Sequence, residues 1–162
     1  MIPHTYISDH IVVREGCLAD ANALGELWLL LAEEIAPGAA HDVLTWKSRY
    51  MQWHSKKDLV HYVIQVADLA GELVGFMDGV VYYDNYTSRN ILEGLHMYVL
   101  PIWRIPHVTH KLYRSSIREA LSRYNADMLR VHSQNTADPR WLRKKYKLHA
   151  QIFQKELRPH GN

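Results

Sequence analysis

Three strand-like runs between residues 60 and 100 constrain this chain more than any other feature. Residues 60–67, 73–83 and 92–100 are dominated by Val, Ile, Leu, Tyr and Met. Only a short turn, Leu69-Ala70-Gly71-Glu72, and a polar loop from Asp84 to Asn90 separate them. A link as short as the first forces an antiparallel hairpin, because a parallel crossover needs about a dozen residues or more. Pro101 ends the third run, and the period then changes. The sequence predicts a long helix over about 107–124 and a strand at 128–132, so hairpin strands precede a β-α-β unit.

The flanks supply the remaining elements. Residues 11–14 form a β-branched first strand that Gly16 ends. Leu24, Leu27, Trp28, Leu31 and Ile35 then fall at helical spacing, Asp20 favours that helix's start, and Pro37-Gly38 stops it. A second helix is predicted over 42–56 with Val43, Trp46, Tyr50 and Trp53 as its apolar stripe. A short basic helix over 139–146 and a strand over 150–156 close the chain. The order β-α-α-β-β-β-α-β-α-β predicts an α/β (α+β) domain: a mixed, mostly antiparallel sheet with helices on both faces. With 162 residues, 48% of them hydrophobic, residues 1–162 suit a single domain that needs no staple.

Composition excludes several classes. A formal net charge of +2 gives no argument for nucleic acid. The single cysteine, Cys17, excludes an internal disulfide and a cysteine metal cluster; it is expected as a small buried hydrophobe in a reducing compartment, the cytoplasm. His107 and His110, three apart, have no evident third partner, so no metal is expected. No apolar run approaches the ~18 residues of a membrane span, and the first residues carry no signal-peptide pattern.

Four stretches, in order, resemble the GNAT superfamily of acyl-CoA-dependent N-acyltransferases. Ile11-Val12-Val13-Arg14-Glu15 with Leu18-Ala19-Asp20-Ala21 resembles its opening strand and helix, and Gly71-Glu72-Leu73-Val74-Gly75 its central hairpin. In His96-Met97-Tyr98-Val99-Leu100-Pro101-Ile102-Trp103-Arg104, the residues Val99, Pro101 and Arg104 match the family's V-x-P-x-x-R-x-x-G-x-G/A pattern. Asn135 with the segment from Trp141 to Tyr146 resembles the closing strand and helix.

The resemblance implies acetyl-CoA as acyl donor and an amine, on a small molecule or a protein, as acceptor. It implies that backbone donors at Val99 and Leu100 hold the thioester carbonyl. Arg104, His107, Val108 and Thr109 would form the pyrophosphate loop at a helix start, where free N–H groups and the helix dipole favour an anion. Asn135 would line the CoA channel. His107 and Thr109 stand at the family's two small positions, and Pro106 removes one N–H donor. The base that deprotonates the amine is Glu93, through a water, or His96. Equally, Glu93 reads as a solvated strand-end carboxylate and His96 as a hydrogen-bonded core histidine. Strict alternation puts Glu93, Leu95, Met97 and Val99 on one face and His96 and Tyr98 on the other. Tyr146, or Tyr113 on the preceding helix, could protonate the leaving thiolate.

Other features keep two readings. Trp46, Tyr50, Trp53 and His54 could line an acceptor cleft, with core packing the default. Tyr82, Tyr83, Asn85 and Tyr86 lie where the third predicted strand exits. The basic residues between Arg140 and Lys147 read first as a solvated face and otherwise as a phosphate site. The aromatic stripes would also suit a homodimer surface. The competing view of the whole chain is an inactive module of the same fold, serving in protein binding or as a structural component.

Overall fold

The computed structural model describes residues 10–55, 61–132, 147–149 and 152–156. Strand β1 is Ile11–Glu15, β2 His61–Leu69, β3 Glu72–Asp84, β4 Arg89–Val99, β5 Met128–His132, β6 Lys147–His149 and β7 Ile152–Glu156. Helix α1 is Ala21–Ile35, entered through a 3-10 turn at Leu18–Asp20; α2 is Val43–Ser55 and α3 is Pro106–Tyr124. The strands form one sheet in the order β1-β2-β3-β4-β5-β7-β6. Among the described residues, only the β4–β5 pair is parallel; the other neighbours are antiparallel. The predicted architecture holds. The short strand β6 was not anticipated, and the helix expected over 139–146 lies outside the described residues.

The β2–β3 hairpin turns on Ala70 and Gly71, both at positive φ (53° and 95°), and the Gly71 N–H donates to Asp68 Oδ1 at 2.7 Å. Two central residues of that hand match the twist of the flanking strands. Helices α1 and α2 cover one face, where Leu24, Leu27, Trp46 and Tyr50 pack on Ile64, Val66, Phe76 and Tyr98. Of the expected α1 stripe, Leu24 and Leu27 are buried while Ile35 is exposed at the helix end. Helix α3 covers the other face: Val108 and Leu112 pack on Ile11, Ala67, Val74 and Val99, and Ala120 packs near Val81, Leu92 and Leu129. Cys17 is exposed rather than buried, because it sits in the turn between β1 and the 3-10 turn. Among the described residues, no helix is long and apolar enough to cross a membrane.

Strand β4 departs from strict alternation. Asp78 pairs with His96 and Gly79 with Gly94, so Leu95 is an extra residue on β4. Such a bulge bends the strand and re-aims its side chains. Gly79 permits the close approach: a Cβ there would stand 2.6 Å from the Glu93 carbonyl oxygen.

Candidate active site

The bulge corrects the predicted faces of β4. Leu92 and Val99 pack toward α3, whereas Tyr98 packs toward α1 and α2. Counting from Leu92 places Glu93 on the α1/α2 face; the extra residue then places His96 and Tyr98 on that same face. The two candidate bases therefore share one surface, which strict alternation denied them.

His96 is held rather than merely exposed. Its Nδ1 lies 3.1 Å from Asp78 Oδ1, and its backbone N–H donates to the same oxygen at 2.8 Å. The Tyr62 hydroxyl donates to Asp78 Oδ2 at 2.6 Å. The Asp78 side chain is 1% exposed and that of His96 32%. An Nδ1–H directed at the carboxylate leaves the Nε2 lone pair as the ring's remaining acceptor. Burial is the largest influence on the ring and disfavours its charge. The hydrogen bond and charge of Asp78 together outweigh it, so the His96 pKa is raised above 6.5. Burial and then the Asp78 carboxylate push the Tyr62 phenol well above its usual value, keeping it a donor.

Beside this group, Arg130 Nη1 donates to the Tyr82 hydroxyl at 2.8 Å, and Arg130 pairs with Glu93 in the parallel ladder. Burial, followed by the adjacent Glu93 carboxylate, raises Tyr82 to about 12. Pairing of β4 with β5 ends at Gly94 and Val131, while β4 continues along β3 to Val99. The Leu100 N–H donates to the Val74 carbonyl at 2.9 Å, so it is committed to the sheet. Alternation then turns the N–H and C=O of Val99 away from β3, beyond the last β4–β5 pair. Of the two expected carbonyl-binding donors, only Val99 faces this edge, which no described strand covers and which is called the open edge below.

The start of α3 differs from the expected loop. A 3-10 turn at Pro101–Trp103 leads through Arg104 and Ile105 into the helix, with Pro106 at its first position. A proline there removes only an N–H that has no intrahelical partner. The Val108 and Thr109 N–H groups donate to the Ile105 carbonyl at 3.2 and 3.4 Å, and the His107 N–H takes no such bond. The His107 side chain is exposed and Thr109 is half-buried. The Val108 side chain is fully buried under α3, leaving only its backbone for any ligand. Arg104 points back to β4: Nε donates to the Val99 carbonyl at 2.8 Å, and Nη2 pairs with Glu34 on α1.

No protein-family model and no curated protein sequence matches the chain. Solved structures do. Salmonella typhimurium YncA with its cofactor acetyl-CoA superposes with a TM-score of 0.70 at 18% identity, covering 94% of this chain and 96% of that one. A ribosomal-protein-alanine N-acetyltransferase from Brucella melitensis gives 0.67 at 18%, covering 90% and 99%. PaiA N-acetyltransferase from Thermoplasma acidophilum, in complex with coenzyme A, gives 0.65 at 13%, covering 90% and 98%. The chain has the GNAT fold.

On that GNAT fold, Glu93, His96 and Val99 gather on the bulged strand, and His107 and Thr109 stand at the α3 start. Asn135, Tyr146 and the basic residues 140–146 lie outside the described residues. Trp46 and Tyr50 are core residues, stacked 5.5 Å apart between ring centroids. Trp53 and His54 are described in backbone alone. Tyr83 and Tyr86 are exposed, whereas Tyr82 joins Arg130. Tyr113 packs between α3 and the sheet. Asp78, Tyr62 and Arg130 were not anticipated as site residues. Asp78 had a signal: a lone carboxylate inside the apolar run 73–83, between Met77 and Gly79.

Proposed function

We propose that this chain is an acetyl-CoA-dependent N-acetyltransferase in which His96, oriented by Asp78, takes the proton from an amine acceptor. The observation that carries this reading is the Tyr62–Asp78–His96 network beside the bulge of β4. A base held by a third group is the arrangement that general-base chemistry needs.

The residues present suit a CoA thioester. The Val99 N–H on the open edge matches an acyl carbonyl, and the His107 N–H at the start of a 19-residue helix matches a phosphate. The acetyl-CoA of YncA and the coenzyme A of PaiA support the same donor. Acetyl-CoA supplies the activated acetyl group when bound. Val99 holds and polarises the carbonyl oxygen. An alkylamine is charged at neutral pH, with a pKa of about 10 like that of lysine, so a proton must leave before the nitrogen can attack. His96 accepts it at Nε2, and buried Asp78 stabilises the charged ring; the freed nitrogen lone pair would then bond to the acetyl carbon, the C–S bond would break, and CoA would leave as the thiolate and take up a proton. Glu93, on the same face, attracts the incoming ammonium.

The acceptor is an amine of a small molecule or a protein. The Brucella ribosomal-protein-alanine enzyme supports the protein option. The single cysteine favours a reducing compartment such as the cytoplasm. The competing reading, an inactive binding module, rests on Pro106 and His107 standing in the anion loop.

Initial rates with acetyl-CoA and an amine panel (a polyamine, an aminoglycoside, a peptide with a free N-terminus and a lysine peptide) test the proposal. At least one amine should be acetylated, and His96→Gln should slow that reaction by about a hundred-fold or more. Transfer undiminished in the variant would remove His96 as the base.

A further inference from the structure

We propose that Arg104 is a positioning residue: by closing the Val99 carbonyl it leaves the open edge of β4 with a donor alone at Val99, set to receive an acyl carbonyl oxygen. This inference rests on the acyltransferase reading. The resemblance of the sequence alone would send Arg104 to a CoA phosphate; the geometry sends it elsewhere.

Three contacts fix the guanidinium. Nε donates to the Val99 carbonyl at 2.8 Å, Nη2 pairs with Glu34 in the last turn of α1, and the guanidinium carbon stands 5.2 Å from the centre of the Tyr98 ring. The Arg104 and Glu34 side chains are 43% and 44% exposed, and an ion pair that open contributes little by itself. The holding strength therefore comes from the Val99 bond and from the contact with Tyr98, which is buried in the core. Glu34 orients the fork so that Nε faces the strand.

The consequence for the edge follows from strand geometry. A residue in a β-strand directs its N–H and C=O to the same side. Without Arg104, Val99 would present both to the open edge. A ligand carbonyl oxygen accepting from the N–H would then lie near a bare carbonyl oxygen of like partial charge. Arg104 fills that acceptor with a cationic donor, removing the repulsion and adding positive potential beside the bound oxygen. The side chain touches neither the acyl group nor the phosphates; it acts through Val99.

Calorimetric titration of three probes separates this role from phosphate binding. Acetyl-CoA carries the acyl carbonyl, CoA lacks it, and adenosine bisphosphate carries phosphates alone. Wild-type protein should bind acetyl-CoA about five-fold more tightly than CoA, the worth of roughly one net hydrogen bond. Arg104→Gln should reduce that preference to near one while changing CoA and bisphosphate affinity by less than about two-fold. Glu34→Gln, at an exposed site that folding tolerates, should give an intermediate preference, and it decides the matter if Arg104→Gln does not fold. Equal weakening of all three probes, or an unchanged acetyl-CoA preference, overturns the positioning role and leaves the acyltransferase reading standing. No binding of any probe to wild-type protein overturns both.

Discussion

Replacing Asp78 by Asn keeps the shape of the site and removes its charge. The carboxylate accepts from Tyr62 at 2.6 Å, from the His96 backbone at 2.8 Å and from His96 Nδ1 at 3.1 Å, at a position 1% exposed. An amide has one oxygen to accept with, and its NH2 group must face either the phenol hydroxyl or the ring N–H. Hydrogen bonds to a charged group contribute about 1.5–3 kcal/mol each, so losing one and leaving a buried donor unpaired should cost roughly 3 kcal/mol. For a domain of this size that lowers Tm by roughly 6–12 °C. The variant also reverses a sign. In the wild type the His96 pKa is raised above 6.5 because Asp78 outweighs burial. With Asp78 neutral, burial remains, and the ring should titrate below 6.5, read from its NMR resonance against pH. A raised folded pKa contributes stability that is fully present below the unfolded value of 6.5 and is lost as pH rises through the folded value. The stability difference between the two proteins should therefore be larger at about pH 5.5 than at about pH 8.5. A His96 pKa that stays raised in Asp78→Asn, or a stability difference independent of pH, would refute the network.

Three further outcomes follow from the same geometry. Gly79→Ala should destabilise by roughly 2 kcal/mol or more, because its Cβ would meet the Glu93 carbonyl at 2.6 Å where backbone must move; denaturant unfolding measures it, and a neutral effect would argue against the bulge. Arg14 holds Asp20 at a pKa of about 2, against an ordinary 3.8, chiefly through its side-chain hydrogen bond, with burial opposing. That stability is present above pH 3.8 and lost as pH falls through about 2, so Arg14→Met should unfold at a higher pH in acid and lose roughly 1–2 kcal/mol at neutrality after solvent screening. Glu93→Gln should bring Tyr82 down from about 12 yet leave it above 10, since burial is the larger cause; alkaline difference absorbance reads the shift, and an unmoved Tyr82 would place Glu93 elsewhere.

Much of the fold was legible because it depends on local signals. The Ala70-Gly71 turn, the apolar runs on either side of it and the long helix after Pro101 each specify an element without reference to the others. The site was legible in part. Period-two alternation placed Glu93 and His96 on opposite faces, and a single extra residue, Leu95, inverts that. Two glycines in strand interiors, Gly79 and Gly94, were its signal, since a glycine inside a strand often marks a bulge or a close backbone approach. Asp78 interrupts an apolar run, which says that it is buried with partners but not which ones. Arg104 shows the limit of matching letters. Its position fits a pattern, while the direction of its side chain is set by the Val99 carbonyl, the Tyr98 ring and Glu34, the last seventy residues earlier in the chain. Val108 shows the same limit, since a residue in the anion-loop pattern is also a core residue of α3.

The proposed reaction requires that the protein bind an acyl-CoA at the open edge of β4 and the start of α3. Calorimetric titration of acetyl-CoA into the wild-type protein, repeated with His107→Glu, tests it most directly. One site of micromolar affinity that the variant weakens is expected, because a carboxylate beside the His107 N–H, which takes no backbone partner among the described residues, repels phosphate. Absence of binding at millimolar acetyl-CoA would contradict it.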